Sequence, residues 1–214
     1  MNVYFISGLG ADKRAFGKLK LDDRFSVKYI EWISPLENES LAHYTQRLAT
    51  QIDTTEPFHI VGLSFGGIIA SELSKIIHPQ RVIIISSTST GIPISSFYQK
   101  LLRIVLRLPF AATFFKSANH FTYKYFGADT PELQALLRSI LHDTDSKLLT
   151  WALLQMSNWK REIRVKNLYH IHGTADQLIP VKLVKPDFLV ENGGHLMVFK
   201  QHEVISSLLN KQLK

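Results

Sequence analysis

The stretch Val61–Gly67, VGLSFGG, places one serine between two glycines at a spacing of two and adds a third glycine directly afterwards. It follows the apolar run PFHI and leads into the helical pattern IIASELSKII. Glycines on both sides of a serine leave room for a sharp turn between a strand and a helix. Such a turn exposes the serine hydroxyl, and we therefore interpret Ser64 as a candidate nucleophile.

Other interpretations of the glycine-rich stretches are less well supported. A phosphate-binding Walker loop needs Gly-Lys-Ser/Thr, and GLSFGGII contains no lysine. The earlier stretch GLGADKRAF begins like a dinucleotide-binding fingerprint, but Lys13 occupies the position of its third glycine. An ordinary glycine-rich turn with an incidental serine stays open on the local sequence alone.

Strand-like runs alternate with helical patterns on both sides of Ser64. Strands are predicted at VYFISG, FSVKYIEWI, PFHIVGLS and RVIIISS in the first half, and at VKNLYHIHG and DFLVENGG towards the end. A helix with Ser40 as its N-cap follows the second strand, and HEVISSLLNKQL closes the chain as another helix. The alternation predicts an α/β class with a doubly wound, mostly parallel sheet of about six strands.

The alternation stops between about Thr88 and Glu162, where the pattern is helical. We therefore predict a core of residues 1–87 and 163–214, with residues 88–162 inserted as a helical cap. The insertion is rich in aromatic residues, and we expect most of them to form its own core and a few to line an apolar pocket. These residues are Phe97, Tyr98, Phe110, Phe114, Phe115, Phe121, Tyr123, Tyr125, Phe126 and Trp151.

The composition narrows the class of protein. A chain of 214 residues with 45% hydrophobic and 20% charged residues fits one soluble globular domain. It contains no cysteine, which excludes disulfides, thiolate catalysis and cysteine-based zinc sites. The start MNVYFISGLG has no signal-peptide pattern, and no apolar run reaches the roughly 18 residues of a membrane span, so we expect a cytoplasmic protein.

The net charge of +7 favours acidic partners, but no nucleic-acid-binding motif accompanies it, and we predict no nucleic-acid partner. In YQKLLRIVLRLPFAATFFK, Lys100, Arg103 and Arg107 recur at helical spacing beside an apolar surface, and Pro109 is predicted to end or kink the helix. A solvated basic edge is the plainer interpretation. Peripheral contact with lipid or an anionic substrate stays open, while stable membrane insertion is not expected.

A serine nucleophile needs a base, and the base needs an acid that orients it. In ENGGHLMVF, His195 follows two glycines after a strand, at the sheet edge where α/β proteins carry their chemistry. In HGTADQLIP, Asp176 lies just past the strand that ends near Gly173, whereas SSTSTG after the preceding strand offers no carboxylate. Ser64, Asp176 and His195 therefore form the candidate set, in the order Ser, Asp, His.

Other titratable residues were weighed for the same roles. His172 stands at the end of a strand and is a reserve candidate for the base, while His170 is expected to be structural. Asp12 and Glu72 lie close in sequence to the expected active-site loops; Asp12 could face the pocket, but a surface or capping role suits it better. The other histidines are expected at the surface or at helix caps; they are His43, His59, His78, His120, His142 and His202.

With these stretches in place, the chain resembles the α/β-hydrolase-fold serine hydrolases of the small, single-domain, esterase-like kind. GLSFGG is the most specific part of the resemblance, followed by HGTADQLIP and GGH. The resemblance implies that Ser64 is the nucleophile, His195 the general base and Asp176 the orienting acid. A serine at this turn argues against haloalkane dehalogenase and epoxide hydrolase chemistry, for which relatives use an aspartate.

The resemblance also implies an oxyanion hole formed by two main-chain N–H groups. One belongs to Phe65, and the other comes from the loop SGLGADKRAF, where Leu9 is the predicted donor. Many relatives carry His-Gly in this loop, and this chain has Ser7-Gly8 instead. The family's first hairpin is expected to be missing, which leaves about six strands.

The implied reaction is the hydrolysis of an ester or thioester of a small to medium apolar acyl group, with a small-molecule acyl substrate. No metal or organic cofactor is implied. Carboxylesterase activity is favoured over thioesterase activity, and hydrolysis of a carbon–carbon bond is a third option. The alternative from another class is a ligand-binding or receptor protein that keeps the fold without the chemistry.

Overall fold

Six strands form one parallel sheet within residues 1–91, 96–160 and 164–214, which the computed structural model describes. The order across the sheet is β2-β1-β3-β4-β5-β6, and every neighbouring pair is parallel. The parallel α/β architecture with about six strands is thus confirmed. The strands are β1 (Asn2–Ile6), β2 (Ser26–Ile30), β3 (Phe58–Leu63), β4 (Arg81–Ile85), β5 (Leu168–Gly173) and β6 (Phe188–Val190).

Helices cover both faces of the sheet. The first, α1, begins where predicted, because Ser40 accepts a hydrogen bond from the His43 N–H as its N-cap. Short 3₁₀ helices span Lys13–Phe16 and Val181–Leu183. The helices outside the insertion are α1 (Leu41–Ala49), α2 (Phe65–Leu73), α8 (Met197–Lys200) and α9 (His202–Gln212).

The two faces of the sheet bury two separate hydrophobic clusters. Successive side chains of a strand point to opposite faces, so Val82 and Ile84 of β4 pack on the side of α1 and α2. Ile83 and Ile85 pack on the side of α9. Each of these side chains is fully buried and contributes about 1.5–3 kcal/mol by leaving water. The apolar run RVIIISS therefore forms a strand buried on both faces, as predicted.

Within the described residues, five helices lie between β4 and β5, and we call them the inserted helices: α3 (Ser96–Val105), α4 (Ala111–Phe115), α5 (His120–Phe126), α6 (Pro131–Asp143) and α7 (Ser146–Asn158). Side chains of Asn119, Thr130 and Asp145 cap α5, α6 and α7. Helix α3 ends before Pro109, as expected. The predicted division at residues 88 and 162 stays a prediction, and its second junction lies at residues 161–163, outside the described residues.

Most aromatic residues of the insertion are not in its core, contrary to expectation. Leucines of α6 and α7 and small residues fill the interior instead, among them Leu137, Leu141 and Leu148. These leucines recur at helical spacing and face the core, whereas α3, α4 and α5 are short and bury few side chains. Six of the aromatic residues are exposed: Phe97, Tyr98, Phe110, Phe114, Phe121 and Tyr125.

No helix in the described ranges combines the length and the apolar character that crossing a bilayer requires.

The ends of β1 and α2 cross at Gly66 without space for a side chain. A Cβ atom at Gly66 would overlap the carbonyl oxygens of Ile6 and Ser7. One at Gly62 would overlap the main chain of Gly66 itself. The two glycines that the sequence predicts as spacers therefore allow β1, β3 and α2 to meet at one point.

Three histidines are buried in the sheet. His170 and His172 lie on β5, as expected, but His59 on β3 is also buried rather than exposed. Burial lowers the pKa of His59 and His172, and burial together with the charges of His172 and Arg164 lowers the pKa of His170 to about 3. The folded protein therefore holds all three imidazoles in the neutral form at neutral pH.

Gly66→Ala is expected to lower the free energy of unfolding by about 1–3 kcal/mol, the usual cost of forcing an extra methyl group into a packed interior. The overlap involves main-chain oxygens, so no side-chain rotation relieves it. Urea unfolding followed by circular dichroism measures the change. Gly17→Ala is the matched control, because Gly17 is exposed with a helical φ of −60°. Equal unfolding midpoints for the two variants would contradict the prediction.

The free energy of unfolding is expected to fall as the pH drops below about 6.5, where unfolded histidines take up protons and the buried ones do not. For each such histidine the loss is up to about 1.4 kcal/mol per pH unit and continues down to its folded pKa. His170→Gln should flatten this slope, as measured by urea unfolding between pH 6.5 and 4.5, which lies between the pKa of unfolded histidine, about 6.5, and the pKa of folded His170, about 3. His78→Gln, at an exposed position, is the control and should keep the wild-type slope.

Candidate active site

Ser64 stands at the turn between β3 and α2 in a strained main-chain conformation. Its φ of 51° and ψ of −119° lie outside the regions that L-residues normally occupy. The Ser64 N–H donates to the Ile85 carbonyl at 2.9 Å, and the Ser87 hydroxyl donates to the Ser64 carbonyl at 2.7 Å. These bonds to the end of β4 hold the turn, so the Ser64 side chain projects from the carboxyl edge of the sheet and is partly exposed.

His195 lies in the loop after β6, where the sequence predicts it, and its ring reaches Ser64. The distance from His195 Nε2 to Ser64 Oγ is 2.9 Å. On the other side, His195 Nδ1 is 2.8 Å from Asp176 Oδ2. A carboxylate only accepts hydrogen bonds, so Nδ1 carries a proton and Nε2 is free to accept the Ser64 proton. The His195 side chain is buried, with the ring of Phe126 packed edge-on against it at 5.5 Å.

Asp176 occupies a tight turn just beyond β5. Its Oδ1 accepts the N–H groups of Leu178 and Ile179 at 2.9 and 2.8 Å, which leaves Oδ2 directed at His195. Burial by itself raises the pKa of Asp176. The hydrogen bond and charge of His195 and the Ile179 N–H outweigh burial and hold the pKa below its usual 3.8. Asp176 is therefore an ionised, fixed acceptor.

His172, the reserve candidate for the base, lies behind Asp176 and does not contact Ser64. Its Nε2 donates to the Ile179 carbonyl at 2.8 Å and is 3.7 Å from Asp176 Oδ2. His170 Nε2 lies 3.2 Å from His172 Nδ1, so the two buried rings support the turn from below. The structure brings His195 to the serine and gives these two histidines a supporting position.

The loop after β1 lies against Ser64. A Cβ atom placed on Gly8 would be 3.5 Å from the Ser64 Cβ. The Ser7 hydroxyl donates to the Ala11 carbonyl at 2.5 Å and closes the loop around Leu9. Ser7, found where many relatives carry histidine, thus braces the loop that supplies the predicted oxyanion donor.

The indole ring of Trp32, which lies just after β2, hydrogen-bonds to the same loop. Trp32 Nε1 donates to Ser7 Oγ at 3.0 Å and to the Gly8 carbonyl at 3.1 Å. The Trp32 ring also stacks on Phe65, with ring centroids 5.5 Å apart. Sequence analysis missed both Ser7 and Trp32 as supporting residues. Trp32 follows the strand next to β1, and parallel strands end at one sheet edge, which was the available signal for it.

Phe65 begins α2, so its N–H is one of the free donors at the positive end of the helix. The Phe65 side chain is fully buried and contacts Trp32 on one side and Trp151 of α7 on another, the latter at 6.2 Å between ring centroids. Aromatic rings from the core and the inserted helices thus fix the residue next to Ser64.

The two other carboxylates near the predicted loops have structural roles. Asp12 caps the first 3₁₀ helix and forms an ion pair with Arg14, which fits the capping role expected for it. Glu72 is buried and accepts a hydrogen bond from Trp159 Nε1 at 2.8 Å, with Lys75 beside it. Across the described ranges, no three His, Asp or Glu side chains are grouped as a metal site requires.

A cleft of about 390 Å³ lies beside the loops that carry Asp176 and His195. Its lining includes Ala175 and Gln177 on one loop and Gly194 and Leu196 on the other, together with polar side chains of α5. Ser64 is not among the residues that line this cleft, so we do not interpret the cleft as the place where a substrate reacts.

Comparison with known structures places the chain among similar folds. It has a TM-score of 0.78 and 14% identity to a bromoperoxidase from Bacillus anthracis, covering 99% of this chain and 91% of that one. An esterase from Exiguobacterium antarcticum gives a TM-score of 0.72 at 16% identity, covering 100% and 92%. A thermophilic esterase from Thermogutta terrifontis gives 0.71 at 16%, covering 100% and 89%.

Comparison with curated protein sequences gives no match. The sequence model of one family, described as the alpha/beta hydrolase family, matches residues 3–207. That range begins at the second residue of β1 and includes the other five strands, the turn at Ser64 and the loops of Asp176 and His195. The chain therefore belongs to the alpha/beta hydrolase family.

Proposed function

We propose that this protein is a serine hydrolase that cleaves a carboxylic ester or thioester of a small to medium apolar acyl group. One observation carries the proposal: an unbroken hydrogen-bonded series runs from Ser64 Oγ through His195 to Asp176, at 2.9 and 2.8 Å. Membership of a hydrolase family supports the general class of reaction. Two of the similar structures are esterases by name, which is why an ester comes first and a thioester second.

In the proposed first step, Ser64 Oγ attacks the acyl carbonyl carbon while His195 Nε2 takes the hydroxyl proton. The carbonyl double bond opens to a tetrahedral oxyanion. When the carbonyl double bond re-forms, the bond to the leaving alcohol or thiol breaks, and His195 returns the proton to that group. Water then attacks the acyl-enzyme through the same base and releases the acid. This series of reaction steps needs no metal or organic cofactor.

Asp176 serves this cycle by stabilising the imidazolium form of His195 and fixing its tautomer. The two main-chain N–H bonds to Oδ1 keep the carboxylate from rotating, and its lowered pKa keeps it ionised. A buried negative charge next to Nδ1 makes proton transfer to Nε2 easier than it is for an isolated imidazole.

The oxyanion hole in this proposal consists of the N–H groups of Phe65 and Leu9. Phe65 offers its N–H at the start of α2, and Leu9 belongs to the loop that Ser7 and Trp32 brace against Ser64. Donors that are fixed before the reaction stabilise developing charge without reorganisation. Loss of one such donor typically costs about 10²–10³ in turnover.

Aromatic side chains around the triad support an apolar acyl group. Phe126 packs on His195, and Trp32 and Trp151 contact Phe65, all three being partly exposed. Apolar walls with a few fixed polar groups are typical of small-molecule sites. The proposed partner is therefore a small acyl compound, and no nucleic-acid partner is proposed.

Ser64→Ala is expected to reduce kcat on p-nitrophenyl esters by at least about 10³-fold, because the nucleophile is lost. Esters of increasing acyl length measure the activity and the chain-length preference, and matched acyl thioesters compare the two leaving groups. Ser86→Ala is the control: Ser86 directly follows the neighbouring strand β4, also has a positive φ, and its buried Oγ has no hydrogen-bond partner in the described ranges. This variant should retain wild-type activity.

The same pair of variants separates an enzyme from a binding protein. A fluorophosphonate probe should label the wild-type protein and Ser86→Ala on Ser64 and leave Ser64→Ala unlabelled. A wild-type protein that neither turns over any ester or thioester nor reacts with the probe would favour the ligand-binding alternative and would contradict the proposed function.

Asp176→Asn is expected to lower kcat by about 10²–10⁴-fold with little change in KM, because the amide no longer holds His195 in the tautomer that accepts the Ser64 proton. The readout is steady-state kinetics on the best ester, with circular dichroism to verify folding. Asp129→Asn is the control, since Asp129 is exposed and forms an ion pair with Lys200 rather than with a residue of the triad. Equal activity of both variants would remove Asp176 from its proposed role.

A further inference from the structure

Three of the inserted helices, α3, α4 and α5, expose an unusual number of large apolar side chains. Of the 18 such side chains exposed in the described residues, nine lie between residues 97 and 125. Exposed apolar residues are normally scattered singly on a protein surface, and a concentration of them is typical of a surface that contacts a protein or a membrane. The nine residues, which we call the exposed apolar face, are Phe97, Tyr98, Leu101, Ile104, Leu108, Phe110, Phe114, Phe121 and Tyr125.

The exposed apolar side chains of α3 point away from the protein. In α3, Phe97, Leu101 and Ile104 recur at intervals of four and three, so they share one side of the helix. The other side of α3 packs on α7, where Gln99 Nε2 donates to the Ser157 carbonyl at 2.8 Å. Phe97 is 70% exposed on α3, and Phe121 is 70% exposed on α5. Such side chains contribute nothing to the folded core.

Positive charge without negative charge accompanies the face. The segment Ser96–Phe126 contains five Lys and Arg residues and no Asp or Glu, within a chain of net charge +7. Across the described ranges, none of the five forms an ion pair with a carboxylate. Along α3 and the turn that follows it, Lys100, Arg103 and Arg107 recur at intervals of three and four and follow one flank of the apolar side. The five are Lys100, Arg103, Arg107, Lys116 and Lys124.

We propose that the exposed apolar face docks on a membrane surface that carries anionic lipids. The apolar side chains would enter the boundary between headgroups and acyl chains, and the flanking cations would lie at the level of the lipid phosphates and carboxylates. An anionic membrane thus matches both the positive charge and the apolar character of the exposed apolar face. The contact is peripheral and reversible, because it uses side chains at the surface of short helices.

A second copy of the chain fits this face less well. A two-fold contact would place the same five cations of each copy against one another, and the segment that carries them, Ser96–Phe126, has no acidic residue to offset them. An anionic bilayer offers the opposite charge and an apolar interior together. Charge complementarity therefore favours lipid over self-association.

The face lies on helices that also contact the candidate active site. Helix α5 ends at Phe126, whose ring packs on His195 and whose carbonyl accepts the Leu196 N–H at 3.2 Å. Helices α3 and α4 pack on α7, which brings Trp151 against Phe65. Docking would therefore set the inserted helices between the lipid and Ser64. The inference itself rests on surface chemistry and does not depend on the proposed hydrolase activity.

The test is flotation of the full chain with vesicles of phosphatidylcholine alone and of phosphatidylcholine mixed with phosphatidylserine. Both wild type and Ser64→Ala are used, so that binding is measured with and without the proposed nucleophile. Both are expected to float with the mixed vesicles and to remain largely unbound with phosphatidylcholine. Added salt should weaken binding, since it screens the charges.

Lys100→Ser combined with Arg107→Ser is expected to weaken binding to the mixed vesicles by about 25-fold, at roughly fivefold per cation. Both side chains are exposed, so folding should be unaffected. Lys20→Ser combined with Lys211→Ser is the matched control, because these exposed lysines lie on or beside α9 and the change in net charge is identical. The control pair should bind like wild type.

Phe97→Ser combined with Phe121→Ser should weaken binding at least about tenfold by removing two inserted rings. Ile76→Ser combined with Val204→Ser removes exposed apolar side chains outside the face and should have no effect. Sedimentation of the same proteins without lipid reports their oligomeric state.

Several results would overturn the docking proposal. They are wild-type protein that floats with neither vesicle, equal flotation with both, or equal loss in the face variants and their controls. A dimer in sedimentation that Phe97→Ser with Phe121→Ser dissociates would assign the face to a second copy instead. Wild-type protein that floats with the mixed vesicles but has no esterase activity would count against the proposed function alone.

Discussion

The candidate site depends on the contact of main chains at the turn that holds Ser64. Gly66 of α2 lies directly on the carbonyl oxygens at the end of β1, and no other residue type fits there. This contact forces the strained conformation of Ser64, which costs about 1–3 kcal/mol. Hydrogen bonds from the turn to the end of β4 and the burial of β3 offset that cost. The strain and the crossing together bring the loop of Gly8 against the serine.

Burial then determines how the neighbouring groups behave. Asp176 is almost completely excluded from water, and a buried carboxylate is costly unless its oxygens are fully satisfied. The N–H groups of Leu178 and Ile179 and the imidazole of His195 supply these bonds, with His172 behind them. The inserted helices add aromatic packing on His195 and Phe65, while their outer surface keeps apolar and positively charged side chains in contact with solvent.

Local patterns in the sequence were sufficient for the sheet and for its most specific turn. Regular alternation predicts six parallel strands because each apolar run buries side chains on one or both faces. The spacing of Gly62, Ser64 and Gly66 predicts the sharp turn between β3 and α2 because the geometry of that turn tolerates few other residues. Asp176 and His195 could be identified because each follows a strand, and parallel strands end at the same edge of a sheet.

The sequence by itself thus determined the α/β architecture with about six parallel strands and three candidate residues, because each of these signals lies within a few neighbouring residues. Tertiary structure alone decided the remainder. It joined Trp32 and Ser7 to the loop of Leu9, buried His59, and left six aromatic residues between residues 97 and 125 exposed. Helical periodicity shows that a helix has an apolar side, but only the packing of distant segments decides whether anything covers that side.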